Sequence, residues 1–276
     1  TLLPDGTEIP GTNFDYNYLQ HRKVDVVSSA LDFILPFEKY KITAGAKVSF
    51  TNTRNGINYD TSDPTLVQDD YFRYKEQIYA LYADYSREYS ERFSMQLGLR
   101  MEHTRTTGIS EAKDTEDKHD YTRLFPTVYL LYSPTDGHAL NFSFSNRISR
   151  PSQNMVNPFP FYQNKYTYAC GREDLKPSYT YNAELGYTLK NNFNVSAYYS
   201  YSDDVFFQVV DLDAETNVTS FLWENFMQTH AFGLNNSYTF RTKWLQAYAQ
   251  HGVSYRRTTS SAATTSPEEK GWAYDA

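Results

Sequence analysis

The sequence predicts an all-β fold, an antiparallel up-and-down meander of about 10–12 long strands that is part of a transmembrane β-barrel. Apolar and polar residues alternate with a period of two in one segment after another, which gives each strand an apolar face and a polar face. These segments run to roughly ten residues, enough to cross a membrane at a tilt, whereas strands of globular proteins average about 5–6. Short turns and long polar loops also alternate along the chain, a rhythm typical of membrane barrels.

The composition is unusual in its aromatic content. The chain has 26 Tyr, 18 Phe and 3 Trp, so 17% of its residues are aromatic while the hydrophobic total is 40%. Barrels place aromatic girdles at both membrane interfaces, which suits this excess of Tyr. Mean hydropathy is -0.67, and the sequence has no run of about 18 apolar residues, so a helical membrane protein is excluded. The net charge of -7 argues against a nucleic-acid partner.

The first half of the chain is predicted to form five strands. Strands one, two and four alternate cleanly, whereas strand three is apolar on both faces at 79–83, so its sides cannot be assigned. Strand five is mixed in the same way. The predicted strands cover 27–35, 42–50, 71–86, 93–101 and 124–132, and the predicted loops cover 1–15, 52–70 and 103–120.

The clearest unit lies at 133–187 and runs from a short turn through a strand and a long loop to a second strand. Its Pro and Asp-Gly residues at 134–137 suit a tight turn. Residues alternate strictly from 140 to 149, and Pro151 ends the strand because proline donates no hydrogen bond to a ladder. A loop crowded with Pro, Phe and Tyr follows, and alternation resumes at 179–188.

The rest of the chain repeats this unit. An Asn-Asn turn at 191–192 precedes an alternating strand at 193–201. The other predicted segments are a short apolar stretch at 205–210, strands at 232–240 and 245–255, the start of a strand at 271–274, and polar loops at 211–217 and 260–270. Short turns recur near 38, 90, 135, 191 and 242, which predicts that they share one rim of the barrel.

The aromatic loop between the two central strands is the best candidate for ligand contact. Exposed aromatic rings can stack on sugars or dock apolar ligands. The alternative, which the frequency of interfacial Tyr and Trp in barrels favours, is that these rings anchor the loop at the membrane interface or fold it onto itself. The candidate residues are Phe159, Phe161, Tyr162, Tyr166 and Tyr168.

Charged residues on the strands lie opposite the apolar stripe. In a barrel that polar face is the lumen, which tolerates charge, whereas the lipid face does not. The same residues would face ordinary solvent in a soluble sheet, so their pattern alone does not separate the two structures. The predicted lumen-facing charges are Arg100, Glu102, Arg147 and Glu184.

Neither catalytic nor metal chemistry is predicted, and no cofactor is expected. None of the histidines at 21, 103, 119, 138, 230 and 251 has the close spacing or carboxylate pairing of a metal site. The Gly-x-Ser-x-Gly motif of serine hydrolases and the glycine loops that cradle phosphates are both missing from the sequence. The sequence therefore favours a protein that is not an enzyme.

The central unit resembles the barrel domain of TonB-dependent outer-membrane receptors, particularly those of the Bacteroides type. Residues 146–152 read Asn-Arg-Ile-Ser-Arg-Pro-Ser, 157–159 read Asn-Pro-Phe, 175–177 read Leu-Lys-Pro and 184–186 read Glu-Leu-Gly. Family members typically read Gly-Asn-Pro-x-Leu-Lys-Pro-Glu where this chain reads Gly-Arg-Glu-Asp-Leu-Lys-Pro-Ser at 171–178. The difference falls in the loop and leaves the strands intact.

This resemblance implies a barrel of about 22 strands that holds a plug domain, in the bacterial outer membrane. Residues 1–276 are then expected to be a single barrel segment from which the plug domain and closing strands are absent. The implied role is nutrient uptake, with outer-membrane lipid, an unknown nutrient ligand and, through the missing plug domain, the TonB energy-transducing system as partners.

Other interpretations remain open at this point. A passive porin or structural barrel of about 12 strands would show the same alternation. A soluble β-rich binding protein would place the charged face in water, and an enzyme is the least favoured reading because no nucleophile motif is present.

Overall fold

The structure, a computed structural model, describes residues 16–61, 69–111, 113–164, 166–262 and 267–275 and consists mainly of β-strands. The predicted loop at 1–15 lies outside the described residues. Within the described ranges, no helix is long and apolar enough to cross a membrane. The elements are β1 (Tyr16–Pro36), β2 (Tyr40–Thr61), β3 (Asp70–Ser90), β4 (Phe93–Ser110), β5 (Thr115–Tyr132), β6 (His138–Ser149), α1 (Gln153–Val156), β7 (Phe161–Asn164), β8 (Thr167–Cys170), β9 (Ser178–Leu189), β10 (Phe193–Asp213), β11 (Val218–Arg241), β12 (Gln246–Ser260) and β13 (Glu268–Asp275).

All strands join one 13-stranded sheet in which neighbours along the chain are neighbours in space. The hairpin β7–β8 departs from this order, because β8 pairs in parallel with the outer end of β11. Every other pairing is antiparallel, so the predicted all-β meander of long strands is confirmed. Among the described residues, β1 pairs with β2 alone and β13 with β12 alone, which leaves two free edges.

The pairing register arranges apolar residues from successive strands in one continuous row. Each member of the row is the direct partner of the next across the sheet, and every member is apolar or aromatic. The row consists of Leu35, Ile42, Tyr85, Leu97, Val128, Phe144, Ala183, Tyr199, Phe232, Tyr255 and Trp272.

The adjacent row is shifted by one residue and therefore faces the opposite side of the sheet. Apart from Ile34, its members are small or polar. The row consists of Ile34, Thr43, Asp84, Gly98, Thr127, Ser145, Asn182, Ser200, Ala231, Arg256 and Gly271. In these rows one face of the sheet is therefore apolar and the other mainly small or polar, as a lipid-facing exterior and a watery interior require.

Among the described residues, no protein layer covers the apolar face. Leu99 and Leu124 lie near its centre and are 50% and 54% exposed. Large contiguous apolar patches are rare on soluble monomers. We call this surface, which includes 27–35, 42–50, 93–101 and 124–132, the apolar belt; its strands cross it in about ten residues, the length a tilted membrane strand needs.

Two predicted loops are largely strand, so those predictions were wrong. The loop predicted at 52–70 contains the last part of β2, which runs to Thr61. The loop predicted at 103–120 contains the end of β4, at Ser110, and the start of β5, at Thr115. Beyond the apolar belt both faces of a strand meet water or polar protein, so the ladder of hydrogen bonds continues where the apolar alternation has stopped.

A β-bulge joins two segments that the sequence suggests are separate. The predicted strand at 193–201 and the apolar stretch at 205–210 are both parts of β10. The pairing register with β11 shifts between Ser202 and Phe206, and Asp204 has a positive φ of 52°. The Asn225 side-chain amide donates to the Asp204 carbonyl at 2.7 Å, which satisfies a backbone group that the bulge removes from the ladder.

Candidate functional site

The long connection between β6 and β9 folds across the polar face of the sheet at the rim opposite the short turns. We call residues 150–164 and 166–177 the strap. Val156, Phe159 and Leu175 of the strap form a buried cluster with Ile57 of β2 and Phe72 of β3. Phe72 has no exposed surface, and its ring lies edge-on to that of Phe159 at a centroid distance of 6.2 Å. Phe206 of β10 and Trp223 of β11 pack on the same cluster, so the strap spans from one wing of the sheet to the other.

The strap has an ordered internal structure. The Ser152 carbonyl accepts from the backbone N–H groups of Met155 and Val156 at 2.9 and 3.3 Å, which forms the single turn of α1. The chain then returns, and the N–H of Gly171 donates to the Asn157 carbonyl at 2.8 Å. A side chain at position 171 would collide with that carbonyl, so glycine is required there.

The five aromatic candidates have different environments. Phe159 is 7% exposed and belongs to the buried cluster, whereas Phe161 is 37% exposed and Tyr166 is 56% exposed. The rings of Tyr162 and Tyr168 lie 5.5 Å apart across the β7–β8 hairpin. Phe161 and Tyr166 therefore present the accessible ring surface. Ligand contact by any of these residues stays a prediction.

A cleft with a volume of about 400 Å³ opens between the strap and the first two strands. Its aromatic wall includes Phe161, which lies edge-on to the ring of Tyr18 at 4.8 Å. The described side chains that line it are all uncharged, and amide groups from β1 and the strap accompany the rings. Cys170 lies half-buried in β8 beside this cleft, and burial raises the pKa of its thiol. The cleft suits a neutral ligand that has both apolar and hydrogen-bonding groups. Its principal lining residues are Tyr18, Gln20, Asn154, Asn157, Phe161 and Trp223.

Arg150 fixes the first residue of the strap to the sheet. One of its Nη atoms lies 2.5 Å from a Glu102 carboxylate oxygen and donates to the Thr104 hydroxyl at 3.2 Å. Its Nε lies 3.7 Å from Glu76. The other carboxylate oxygen of Glu102 accepts from Arg100 Nε at 2.5 Å. Glu102 is buried, so this paired arrangement compensates a charge that would otherwise be costly to keep away from water.

The second carboxylate near Arg150, that of Glu76, has weaker charge compensation than Glu102. Glu76 lies three residues beyond Tyr79, outside the apolar belt, and burial raises its pKa above the ordinary value of 4.5. Arg150 opposes this shift, and the neighbouring Glu102 charge adds to it. Burial also works to lower the pKa of Arg150, but Glu102, Tyr121 and Glu76 outweigh it, so the net pKa rises and the guanidinium stays charged.

We expect Glu76→Gln to raise the free energy of unfolding at pH 7.5 relative to the unaltered chain. A carboxyl group whose folded pKa is raised stabilises the fold below its unfolded pKa and loses that contribution as pH rises through the folded pKa. The advantage of Glu76→Gln should therefore shrink as pH is lowered toward 4.5. Denaturant titrations of both proteins across this range measure it. An equal difference at both ends of the range would contradict a raised pKa at Glu76.

The remaining predicted charges lie elsewhere on the sheet. Arg147 is exposed and pairs with Thr180, while Glu184 is exposed and pairs with Ser143. In the part of the chain that the structure describes, neither Arg147 nor Glu184 forms an ion pair with Arg150, Glu102 or Glu76. Of the four predicted lumen charges, Arg100 and Glu102 alone are brought together.

Arg150 and Glu76 were not predicted from the sequence as members of this charged group. In the sequence, Arg150 is part of the 146–152 segment that resembles the receptor family and precedes the proline that ends a strand, but no charge partner was predicted for it. Glu76 lies in the strand whose sides were unassigned. Glu76 is separated from Ala80 and Phe72 by four residues, so strand parity places it on the inner face with them. No sequence signal pairs Arg150 with Glu102. No group of three or more His, Cys, Asp or Glu suited to a metal ion occurs among the described residues.

A long-stranded sheet with an apolar exterior, a hydrophilic interior and a strap at its mouth defines the chain as a β-barrel protein of the bacterial outer membrane. It belongs to the outer membrane protein beta-barrel family, whose model matches residues 2–275. No curated protein matches the sequence.

Solved structures share the fold at low sequence identity. The copper transporter OprC has a TM-score of 0.62 and 12% identity, over 88% of this chain and 39% of OprC. The hemophore receptor HasR of Serratia marcescens, in complex with its hemophore HasA and heme, has a TM-score of 0.57 and 11% identity, over 90% and 43% of the two chains. The ferric yersiniabactin uptake receptor FyuA of Yersinia pestis has a TM-score of 0.51 and 16% identity, over 91% and 37%. The chain thus spans about two fifths of the length of these structures.

Proposed function

We propose that this chain is part of the barrel of a TonB-dependent receptor that takes up a nutrient across the outer membrane. The observation that carries the proposal is the strap, which packs against β2 and β3 on one wing and β10 and β11 on the other. A loop held across the mouth in this way suits a gate that binds its ligand better than it suits an open pore. Fold similarity to a copper transporter and to two receptors supports the same assignment.

The TonB system enters as part of this proposal. Residues 1–276 form one barrel segment of a longer protein, and TonB acts on a plug domain elsewhere in that protein. The ligand-contact surface is the cleft beside the strap, and Phe161 is the accessible ring of the strap in its wall. Tyr166 is also exposed on the strap but is not one of the described residues that line the cleft. Because the cleft lining is uncharged, the proposed nutrient is a neutral molecule. No catalytic step is part of this role.

The proposal is tested by comparing two deletion strains of the native host, one lacking the gene for this protein and one lacking the gene for TonB. Growth in a defined mixture of nutrients, followed by mass spectrometry of the spent medium, identifies the solutes that each strain leaves behind. Both strains should leave at least one solute in common. If that solute is left only by the strain lacking this protein, uptake does not need TonB and the chain is a passive porin.

Phe161→Ala in the full-length protein is expected to reduce uptake of that solute about tenfold, since loss of one stacking ring at a binding site costs roughly 1–2 kcal/mol. Trp244→Ala is the matched control, because Trp244 is an exposed aromatic residue 84% accessible in the short turn at the opposite rim. Uptake is measured with the isotopically labelled solute in whole cells. Equal rates in the two variants would remove Phe161 from the binding site.

A further inference from the structure

A row of positive charges lies on the outward face of the first three strands. Lys23 of β1 pairs with Arg54 of β2, and Arg54 pairs in turn with Arg73 of β3. Strand parity places all three on the face that carries Leu31, Ala46 and Leu81 farther along the same strands. Lys75 lies on this face one rung nearer the belt. We call Lys23, Arg54, Arg73 and Lys75 the outer basic patch.

The outer basic patch lies just beyond the apolar belt. The belt ends at Val27 on β1 and Phe50 on β2, and Phe50 stacks edge-on with Tyr79 of β3 at 5.8 Å, as in an aromatic girdle. The charged row is four residues farther out, a rise of about 10 Å along the membrane normal for strands tilted near 40°. Arg and Lys side chains are long enough to bend back toward the interface from there. The patch is therefore at the level of the lipid headgroups, on the side of the long connections.

Few acidic groups compensate the patch. Asp25 lies 3.8 Å from Lys23, but Arg54, Arg73 and Lys75 have no carboxylate within ion-pair distance among the described residues. Arg54 has a neutral neighbour, the Asn52 amide, whose oxygen lies 3.1 Å away in the orientation that satisfies both groups. The Nε of Arg73 is buried without a hydrogen-bond partner in the described structure.

Other outward cations at the same level are paired with acids. Arg105 of β4 lies 2.9 Å from Asp120, and Lys118 of β5 lies 2.8 Å from Glu116. The cross-strand partners of Lys75 and Arg73 on β4, Thr107 and Ile109, are uncharged. Like charges directly opposite each other in a sheet are destabilising, so the row Lys23–Arg54–Arg73 favours an anion beyond those that the described residues supply.

We propose that the outer basic patch binds the phosphate groups of the lipid A headgroup in the outer leaflet of the membrane. Guanidinium groups hold phosphate through paired hydrogen bonds, and lysines add positive charge. The patch faces outward at headgroup level, where a phosphorylated lipid lies beside it in the membrane. This binding is independent of nutrient uptake and of TonB.

The test is binding of diphosphoryl lipid A to the detergent-solubilised full-length protein, measured by native mass spectrometry. Arg54→Gln/Arg73→Gln should weaken binding about tenfold or more, because hydrogen bonds between charged groups are lost. Arg54→Lys/Arg73→Lys should recover most of the affinity. The matched control is Arg241→Gln/Lys243→Gln, which removes two exposed charges from the end of β11 and the short turn after it, at the opposite rim, and should leave binding unchanged.

Two further arms identify the phosphate as the recognised group and the lipid as its source. Dephosphorylated lipid A should bind the unaltered chain as weakly as diphosphoryl lipid A binds the Arg54→Gln/Arg73→Gln variant. Inorganic phosphate at millimolar concentration should not displace the lipid. Unchanged binding by Arg54→Gln/Arg73→Gln, equal binding of the dephosphorylated lipid, or displacement by inorganic phosphate would each overturn the proposal. If Arg54→Gln/Arg73→Gln does not fold, Lys23→Gln/Lys75→Gln replaces it, because both lysines are exposed. Its binding of diphosphoryl lipid A should also be weaker, and unchanged binding would overturn the proposal.

Discussion

Phe144→Arg is expected to lower the free energy of unfolding from phosphatidylcholine vesicles by about 2–4 kcal/mol, the range for a cation at the midplane of the lipid face of a barrel. Phe144 lies in the outward apolar row, between Val128 of β5 and Ala183 of β9. An arginine there must either enter hydrocarbon or distort the strand to reach water. Urea titration of the chain folded into vesicles measures the loss.

Ser145→Arg is the matched control for Phe144→Arg. Ser145 is the next residue along β6, and it faces the interior between Thr127 and Asn182. The added charge should therefore remain hydrated, and we expect a change of about 0.5 kcal/mol or less. If the two variants lost the same stability, the two faces of β6 would not differ in solvent, and the proposed orientation of the sheet would be wrong.

Arg150→Met is expected to lower the free energy of unfolding by about 3 kcal/mol, since removing one partner leaves a buried carboxylate uncompensated. Glu102 would keep Arg100 but lose the 2.5 Å contact from the strap, and Glu76 would lose its partner at 3.7 Å. The strap would also lose its first attachment to the sheet. Protease cleavage within the strap should therefore become faster, and it provides a second measurement besides urea titration.

Arg147→Met is the control for Arg150→Met, because Arg147 is an exposed arginine three residues earlier in the chain. It should cost about 0.5 kcal/mol or less. The double variant Glu102→Gln/Arg150→Met should be more stable than the sum of the single changes predicts by about 1 kcal/mol or more, since both members of the pair are removed together. Strict additivity would mean that Arg150 and Glu102 do not interact.

The faces of the strands were predictable because alternation is a local property of the sequence. Leu97 and Leu99 point one way and Gly98 and Arg100 the other, whatever the rest of the chain does. Strand three resisted assignment because Ala80 is small enough to be tolerated on either face, and it is buried on the inner one. Pairing with β2 and β4, which no single segment reveals, decides its orientation.

The ends of the strands were less predictable than their faces. Beyond the belt, residues such as Arg105 and Lys118 carry no apolar signal, although their strands continue to pair. The Asp203-Asp204 pair resembles a turn, but its positive φ at Asp204 accommodates a bulge within one strand. At Arg105 and Lys118, hydrogen bonding to a neighbouring strand continues the strand without an apolar signal. At Asp203-Asp204, the same kind of pairing overrides the local preference for a turn.

The site was only partly visible in the sequence. The aromatic loop was recognised as a feature, but nothing local distinguishes Phe159, buried against Phe72, from Phe161, which is exposed in the wall of the cleft. The contact between Arg150 and Glu102 joins residues 48 positions apart. Such pairs become apparent once the strap has folded across the sheet, because its path is determined by tertiary packing.

Tryptophan quenching by lipids brominated on their acyl chains tests the orientation of the sheet most directly. Trp272 lies in the outward apolar row, whereas Trp223 packs against the buried cluster on the inner face. Single-tryptophan variants that retain either residue, with the other two tryptophans replaced by Phe, are folded into brominated vesicles. We expect the fluorescence of Trp272 to be strongly quenched and that of Trp223 to be nearly unaffected. Quenching of Trp223 with none at Trp272 would show that hydrocarbon lies on the other face.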